Sequence, residues 1–130
     1  MFGSRSDALL EDAVVLWLTT VRPDGQPQAS PVWFVVDDGE FVVFSRSGTP
    51  RVRNIVANPR VSLNLDSNEG GDVLTIEGEA RIVDGPPSTE SAAYQHKYGT
   101  RMAQLGYTPE SFAAGYPVAI RVRPKRWRTH

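Results

Sequence analysis

The 130-residue sequence has the length of one ordinary domain, and its 40% hydrophobic and 22% charged residues are those of a globular protein. A net charge of −1 gives no electrostatic pull toward nucleic acid or an anionic membrane. The absence of cysteine excludes disulfides, thiolate metal sites and a cysteine nucleophile.

Residues 1–12 carry Arg5, Asp7, Glu11 and Asp12 and lack the apolar region of a signal peptide. The longest apolar run, residues 13–18, is too short to span a bilayer. The expectation is a single cytoplasmic domain over residues 1–130. Residues 6–12 read as a short helix capped by Ser6. Residues 14–21, rich in β-branched and aromatic side chains, predict a first strand. Arg22-Pro23-Asp24-Gly25 supplies a turn, residues 29–36 a second strand, and Asp37-Asp38-Gly39 a second tight turn. Residues 40–46 are mostly apolar, which predicts a third strand buried on both faces.

Ser47-Gly48-Thr49-Pro50 breaks the pattern and opens a helix to about Ala57, with Thr49 as N-cap and Pro50 at its first position. After Asn58-Pro59, residues 60–66 form a fourth strand. Residues 72–83 form a long fifth, with Gly78 marking a bulge or bend. A helix over residues 88–98, capped by Ser88 or Thr89, and a short one over 109–114 follow. Residues 117–123 alternate as a sixth strand, leaving Trp127 on a short basic tail. Six antiparallel strands with few helices predict a mainly β protein, a small closed barrel with peripheral helices.

Self-contained catalytic signals are few. The two histidines, His96 and His130, show no metal-ligand spacing. A Gly-x-Ser-x-Gly elbow, a phosphate-binding Walker loop and a dinucleotide fingerprint are all missing. A bound cofactor is the better source of chemistry. The informative stretch is Ser45-Arg46-Ser47-Gly48-Thr49-Pro50-Arg51-Val52-Arg53-Asn54. It places three guanidinium groups and three hydroxyls where a strand turns into a helix N-terminus, a suitable arrangement for a phosphate. A solvated, positively charged helix start is the alternative, and the residue types alone leave both open. Trp33 and Phe34 either face a planar ring or fill the core. Tyr94 and Tyr98, one turn apart, suit packing. Arg121, Arg123, Lys125, Arg126 and Arg128 surround Trp127, but the strip is short and balanced by acids elsewhere, so no nucleic-acid partner is expected.

The run from Trp17 to Phe34, with Pro23-Asp24-Gly25 and Pro31-Val32-Trp33-Phe34, resembles the opening hairpin of the pyridoxamine-phosphate-oxidase-like split-barrel family. Residues 42–47, the run Arg51-Val52-Arg53-Asn54 and the run Asn58-Pro59-Arg60-Val61-Ser62-Leu63 resemble that family's cofactor-phosphate segment. Glu77-Gly78-Glu79-Ala80-Arg81 and Lys97-Tyr98-Gly99 are similar to it too. Within the family, the chain is similar to the actinobacterial branch described as F420-dependent.

The resemblance implies an FMN-binding type of six-stranded split barrel and a homodimer with two cofactor sites at the interface. In the flavin-binding oxidases a Ser-Arg-Lys triplet grips the FMN phosphate; here Thr49, Pro50 and Arg51 stand in those positions. Proline replaces the middle cation, and residues 29–34 carry no charge. These departures favour the deazaflavin coenzyme F420 over FMN, which stays as the alternative. The resemblance further implies a reductase passing hydride to a small organic acceptor: an electron-poor alkene, a quinone or a tetrapyrrole. Ser45, Arg46, Ser47, Arg51 and Asn54 are then expected around the phosphate, with Arg53 reaching an anionic tail. Ser30, Pro31, Val32, Trp33 and Phe44 border the ring. A proton comes from solvent or a tyrosine such as Tyr98. A non-catalytic carrier of deazaflavin, flavin or haem is a further alternative; haem needs a histidine, and only His96 lies inside the fold.

Overall fold

The computed structural model describes residues 1–129, apart from the side chains of Ser67 and Asn68; His130 lies outside the described residues. The chain runs α1 (Ser4–Asp12), β1 (Leu16–Val21), β2 (Pro27–Val32), β3 (Val35–Asp37), β4 (Glu40–Ser45), α2 (Pro50–Ala57) and β5 (Arg60–Ser67), then β6 (Asp72–Val83), α3 (Ala92–Gln104), α4 (Pro109–Gly115) and β7 (Val118–Thr129). The strands form one antiparallel sheet in the order β2-β1-β5-β6-β7-β4-β3.

The sheet has seven strands rather than the expected six because the predicted second strand is broken at Trp33-Phe34. Its first part pairs with β1, Pro31 opposite Trp17, and its second with β4, Val35 opposite Val42. The two edges of the sheet are thus successive pieces of one stretch of chain. The sheet must curl until they meet, which removes the exposed edges of an open sheet.

Two cores follow from this closure. Leu16, Leu18, Phe34, Phe41, Val43, Leu63, Ile76 and Ile120 fill the barrel interior. Val42, Phe44 and Ala119 face the opposite way and pack under α3 and α4 against Tyr94, Tyr98, Met102 and Phe112. The continuous apolar run of β4 is therefore explained: alternate side chains serve different cores, as the sequence predicts.

Several local expectations change. α1 begins earlier and is capped by Gly3, while Ser6 is buried within the helix. A 3-10 turn at Ser88–Glu90 precedes α3, which is capped by Ser91 rather than Ser88 or Thr89. Trp127 lies in β7, not on a tail, and meets Phe2 edge-on at 5.0 Å. The basic composition hid this strand: two of its arginines find acids on neighbouring strands, Arg121 with Glu40 and Arg123 with Glu79. Asp38 and Gly39 adopt positive φ in the tight turn, and the β6–β7 register shifts beside Gly78, both as predicted.

Candidate functional site

β4 delivers Ser45 to the barrel rim, and the loop after it leads into α2. Thr49 caps that helix by accepting a hydrogen bond from the Val52 backbone, with Pro50 at the first position. This fixes Arg51 in the first turn, where it reaches back over the sheet. Its Nε donates to Ser30 Oγ at 3.2 Å and one terminal nitrogen to Ser45 Oγ at 3.3 Å. Ser45 is fully buried and lies 3.4 Å from the Thr49 hydroxyl. Arg51 is half-buried, and the loss of water lowers the pKa of its guanidinium. A positive charge in a helix's first turn is unfavourable unless an anion answers it.

Beside Arg51 lies a cavity of about 360 Å³ lined by Pro31, Val32, Trp33, Phe44, Arg46, Thr49, Arg51, Tyr94, Leu105, Tyr107, Phe112 and Tyr116. Two guanidinium groups and six aromatic rings line it, with no carboxylate. Arg46 sits 4.5 Å from the Tyr116 ring centroid and donates to the Tyr107 and Tyr116 hydroxyls, each at 3.3 Å. Among the described residues neither Arg46 nor Arg51 is paired with an acid. Trp33 stacks on Tyr98 at 4.5 Å and lies nearly parallel to Phe112 at 5.7 Å.

Of the predicted site residues, Ser30, Pro31, Val32, Trp33, Phe44, Ser45, Arg46 and Arg51 come together at or directly behind this cavity. The others do not. Asn54 is buried against the sheet, donating to Thr20 Oγ1 at 3.0 Å and Gln28 Oε1 at 2.8 Å, so it anchors α2. Arg53 is exposed and folds back onto the Gly48 carbonyl. Ser47 is exposed on the turn. Phe34 is fully buried in the barrel core rather than facing a ligand. Tyr98 is also fully buried; its hydroxyl is held by backbone groups of Phe34 and Val14, and its pKa is pushed up to about 12, chiefly by burial. It is a structural tyrosine, not a proton donor.

Residues 105–116 contribute Tyr107, Phe112 and Tyr116, which the sequence did not single out. They reach the cavity from far along the chain, Tyr107 lying 61 positions after Arg46, and no local spacing signals that. A larger groove of about 830 Å³ between α1, β3 and α3 carries charges of both signs, including Asp7, Glu11, Asp12, Lys97 and Arg101, with His96 beside them. There Lys97 donates to the Leu10 carbonyl at 3.1 Å and rests 3.8 Å over the Phe34 ring, so its amine serves packing. Burial lowers its pKa to about 8. No group of three or more potential metal ligands gathers among the described residues. No helix there is long and apolar enough to cross a membrane.

Residues 4–130 match the family model described as pyridoxamine 5'-phosphate oxidase. A pyridoxine/pyridoxamine 5'-phosphate oxidase from Bacteroides thetaiotaomicron is 28% identical over 101 residues, which is 75% of this chain and 47% of that protein. The chain therefore spans about half the length of that curated relative. Among solved structures, an F420 reductase is 30% identical with a TM-score of 0.74, covering 94% of each chain. A conserved hypothetical protein from Mycobacterium tuberculosis superposes with a TM-score of 0.77 at 24% identity, over 99% of this chain and 84% of that one. The haem storage protein of Vibrio cholerae shares the fold at 18% identity, with a TM-score of 0.71 over 98% of this chain and 93% of that one.

Proposed function

Because the chain belongs to the pyridoxamine 5'-phosphate oxidase family, we propose that it is a reductase dependent on the deazaflavin coenzyme F420, delivering hydride to an organic acceptor. The observation that carries this reading is the cavity's charge balance: Arg46 and Arg51 line it without a carboxylate. A half-buried Arg51 and an exposed Arg46, neither paired with an acid, suit an anionic ligand, and the aromatic lining suits a planar one. The donor set thus fits a phosphorylated ring cofactor.

Arg51, supported by Ser30 and Ser45 and close to the Thr49 hydroxyl, holds the phosphate. Proline at position 50 leaves one cation where the FMN-dependent oxidases keep two, which favours the deazaflavin. Trp33, Phe44 and Pro31 border the ring. When bound, the coenzyme supplies the hydride chemistry itself. The chain's residues bind it, orient it and exclude water from it. The proton comes from solvent, since the Tyr98 hydroxyl is committed to the backbone. The acceptor is an electron-poor alkene, a quinone or a tetrapyrrole. A second copy of the chain covers the open side of the cavity: Trp17, 46% exposed on the outer face of β1, stands opposite Pro31, which lines the rim.

Separate titration of the purified protein with F420, FMN and haem tests the cofactor. Saturable F420 binding, followed by oxidation of the reduced coenzyme by a quinone or enone, is expected. Tight FMN or haem binding with none for F420 overturns the reading. F420 binding without turnover by any acceptor makes the protein a carrier.

A further inference from the structure

Tyr94 and Tyr98 stand one helical turn apart on α3, and both are fully buried. Their hydroxyls differ. That of Tyr98 is fully engaged with backbone groups, whereas that of Tyr94 has no hydrogen-bond partner among the described residues. A buried hydroxyl without a partner is unfavourable, and phenylalanine would fill the same space without that penalty.

The ring is held firmly. Phe44 meets it edge-on at 4.8 Å, Tyr98 lies at 4.9 Å and Phe112 at 5.9 Å. Tyr94 also lines the cavity that holds Arg46 and Arg51. We propose that the Tyr94 hydroxyl is a positioning group that donates a hydrogen bond to a carbonyl oxygen on a planar conjugated ring bound in this cavity. This rests on the ring-binding role proposed above. Burial raises the phenol's pKa, so it remains a neutral donor and transfers no proton in turnover. The carbonyl belongs either to the cofactor's ring or to a quinone acceptor, and the two sources give different readouts.

The test is Tyr94→Phe. Its thermal midpoint without ligand should equal or exceed that of the wild type, because an unpartnered buried hydroxyl is removed. If the carbonyl is the cofactor's, affinity should fall about three- to tenfold, as for one neutral hydrogen bond. The factor should be the same for F420 and for its riboflavin-level chromophore lacking the phosphate. If the carbonyl is the acceptor's, F420 affinity should hold while KM for menadione rises by a similar factor. A lowered midpoint reveals a structural partner, such as a trapped water, and overturns the proposal. So does a variant with unchanged cofactor affinity and unchanged KM. If the wild type binds neither F420 nor FMN, the cofactor reading itself fails; if it binds and Tyr94→Phe changes neither cofactor affinity nor KM, only the role of Tyr94 is sunk.

Discussion

The Tyr98 hydroxyl accepts a hydrogen bond from the Phe34 backbone nitrogen at 2.8 Å and lies 3.0 Å from the same residue's carbonyl oxygen. Phe34 stands in the break between β2 and β3, where the sheet supplies no partner to either group. The hydroxyl also lies 2.7 Å from the Val14 carbonyl. One side chain from α3 thereby satisfies the backbone at the point where the strand leaves one edge of the sheet and joins the other. Tyr98→Phe should lower stability by about 2–4 kcal/mol, because buried backbone groups lose their partner while the ring still packs. Urea denaturation checks it; a loss below about 1 kcal/mol would mean that water takes over the site.

The turns and the α2 cap were legible because their chemistry is local: Asp38-Gly39 supplies the positive φ values, and Thr49-Pro50 the helix start. The strand break was not. Residues 31–36 are apolar on both sides of it, and the Tyr98 hydroxyl that meets the Phe34 backbone there comes from sixty-four positions away. The proposed anion site was half legible. The residue types left phosphate binding open and the family resemblance singled out Arg51, but Asn54 and Arg53 share the same run and point elsewhere. Which face of a short helix meets the sheet is decided by partners such as Thr20 and Gln28, which the run itself does not contain.

Asn54 should accordingly behave as a structural residue. Asn54→Ala removes bonds to Thr20 and Gln28 in a buried setting, and should destabilise the fold by about 1–3 kcal/mol. Thermal unfolding without ligand reads this directly; a normal midpoint with weakened cofactor binding would return Asn54 to the ligand.

Glu40 joins three strands. Hydrogen bonds from Arg81 and then Arg121 hold its carboxyl at a pKa of about 2, below the ordinary 4.5. A carboxyl with a lowered folded-state pKa contributes stability that is fully present above its unfolded pKa and lost as pH falls toward its folded one. Glu40→Gln should therefore destabilise at pH 7 by about 1–2 kcal/mol, after allowance for screening by water. That difference should shrink as pH falls from 4.5 toward 2. A pH-independent difference would assign the loss to packing instead.

Gly78 sits where β7 shifts register, with Gly78 opposite Pro124 and Glu77 opposite Arg126. A Cβ there would lie 2.8 Å from the Arg123 carbonyl oxygen and 3.0 Å from Val122 Cγ1. Both neighbours belong to the paired strand, so Gly78→Ala should cost about 1–3 kcal/mol. Chemical denaturation checks this, and an unchanged midpoint would show that β7 can move away.

The central claim is that Arg51 holds the phosphate of a deazaflavin. Equilibrium binding of F420 to Arg51→Ala, with Arg53→Ala alongside, tests it most directly. Loss of the charged hydrogen bond should weaken binding by about 1.5–3 kcal/mol, roughly ten- to more than a hundredfold. The exposed Arg53 should matter by less than about threefold, as expected for a solvent-screened charge. An F420 dissociation constant unchanged in Arg51→Ala would contradict the account.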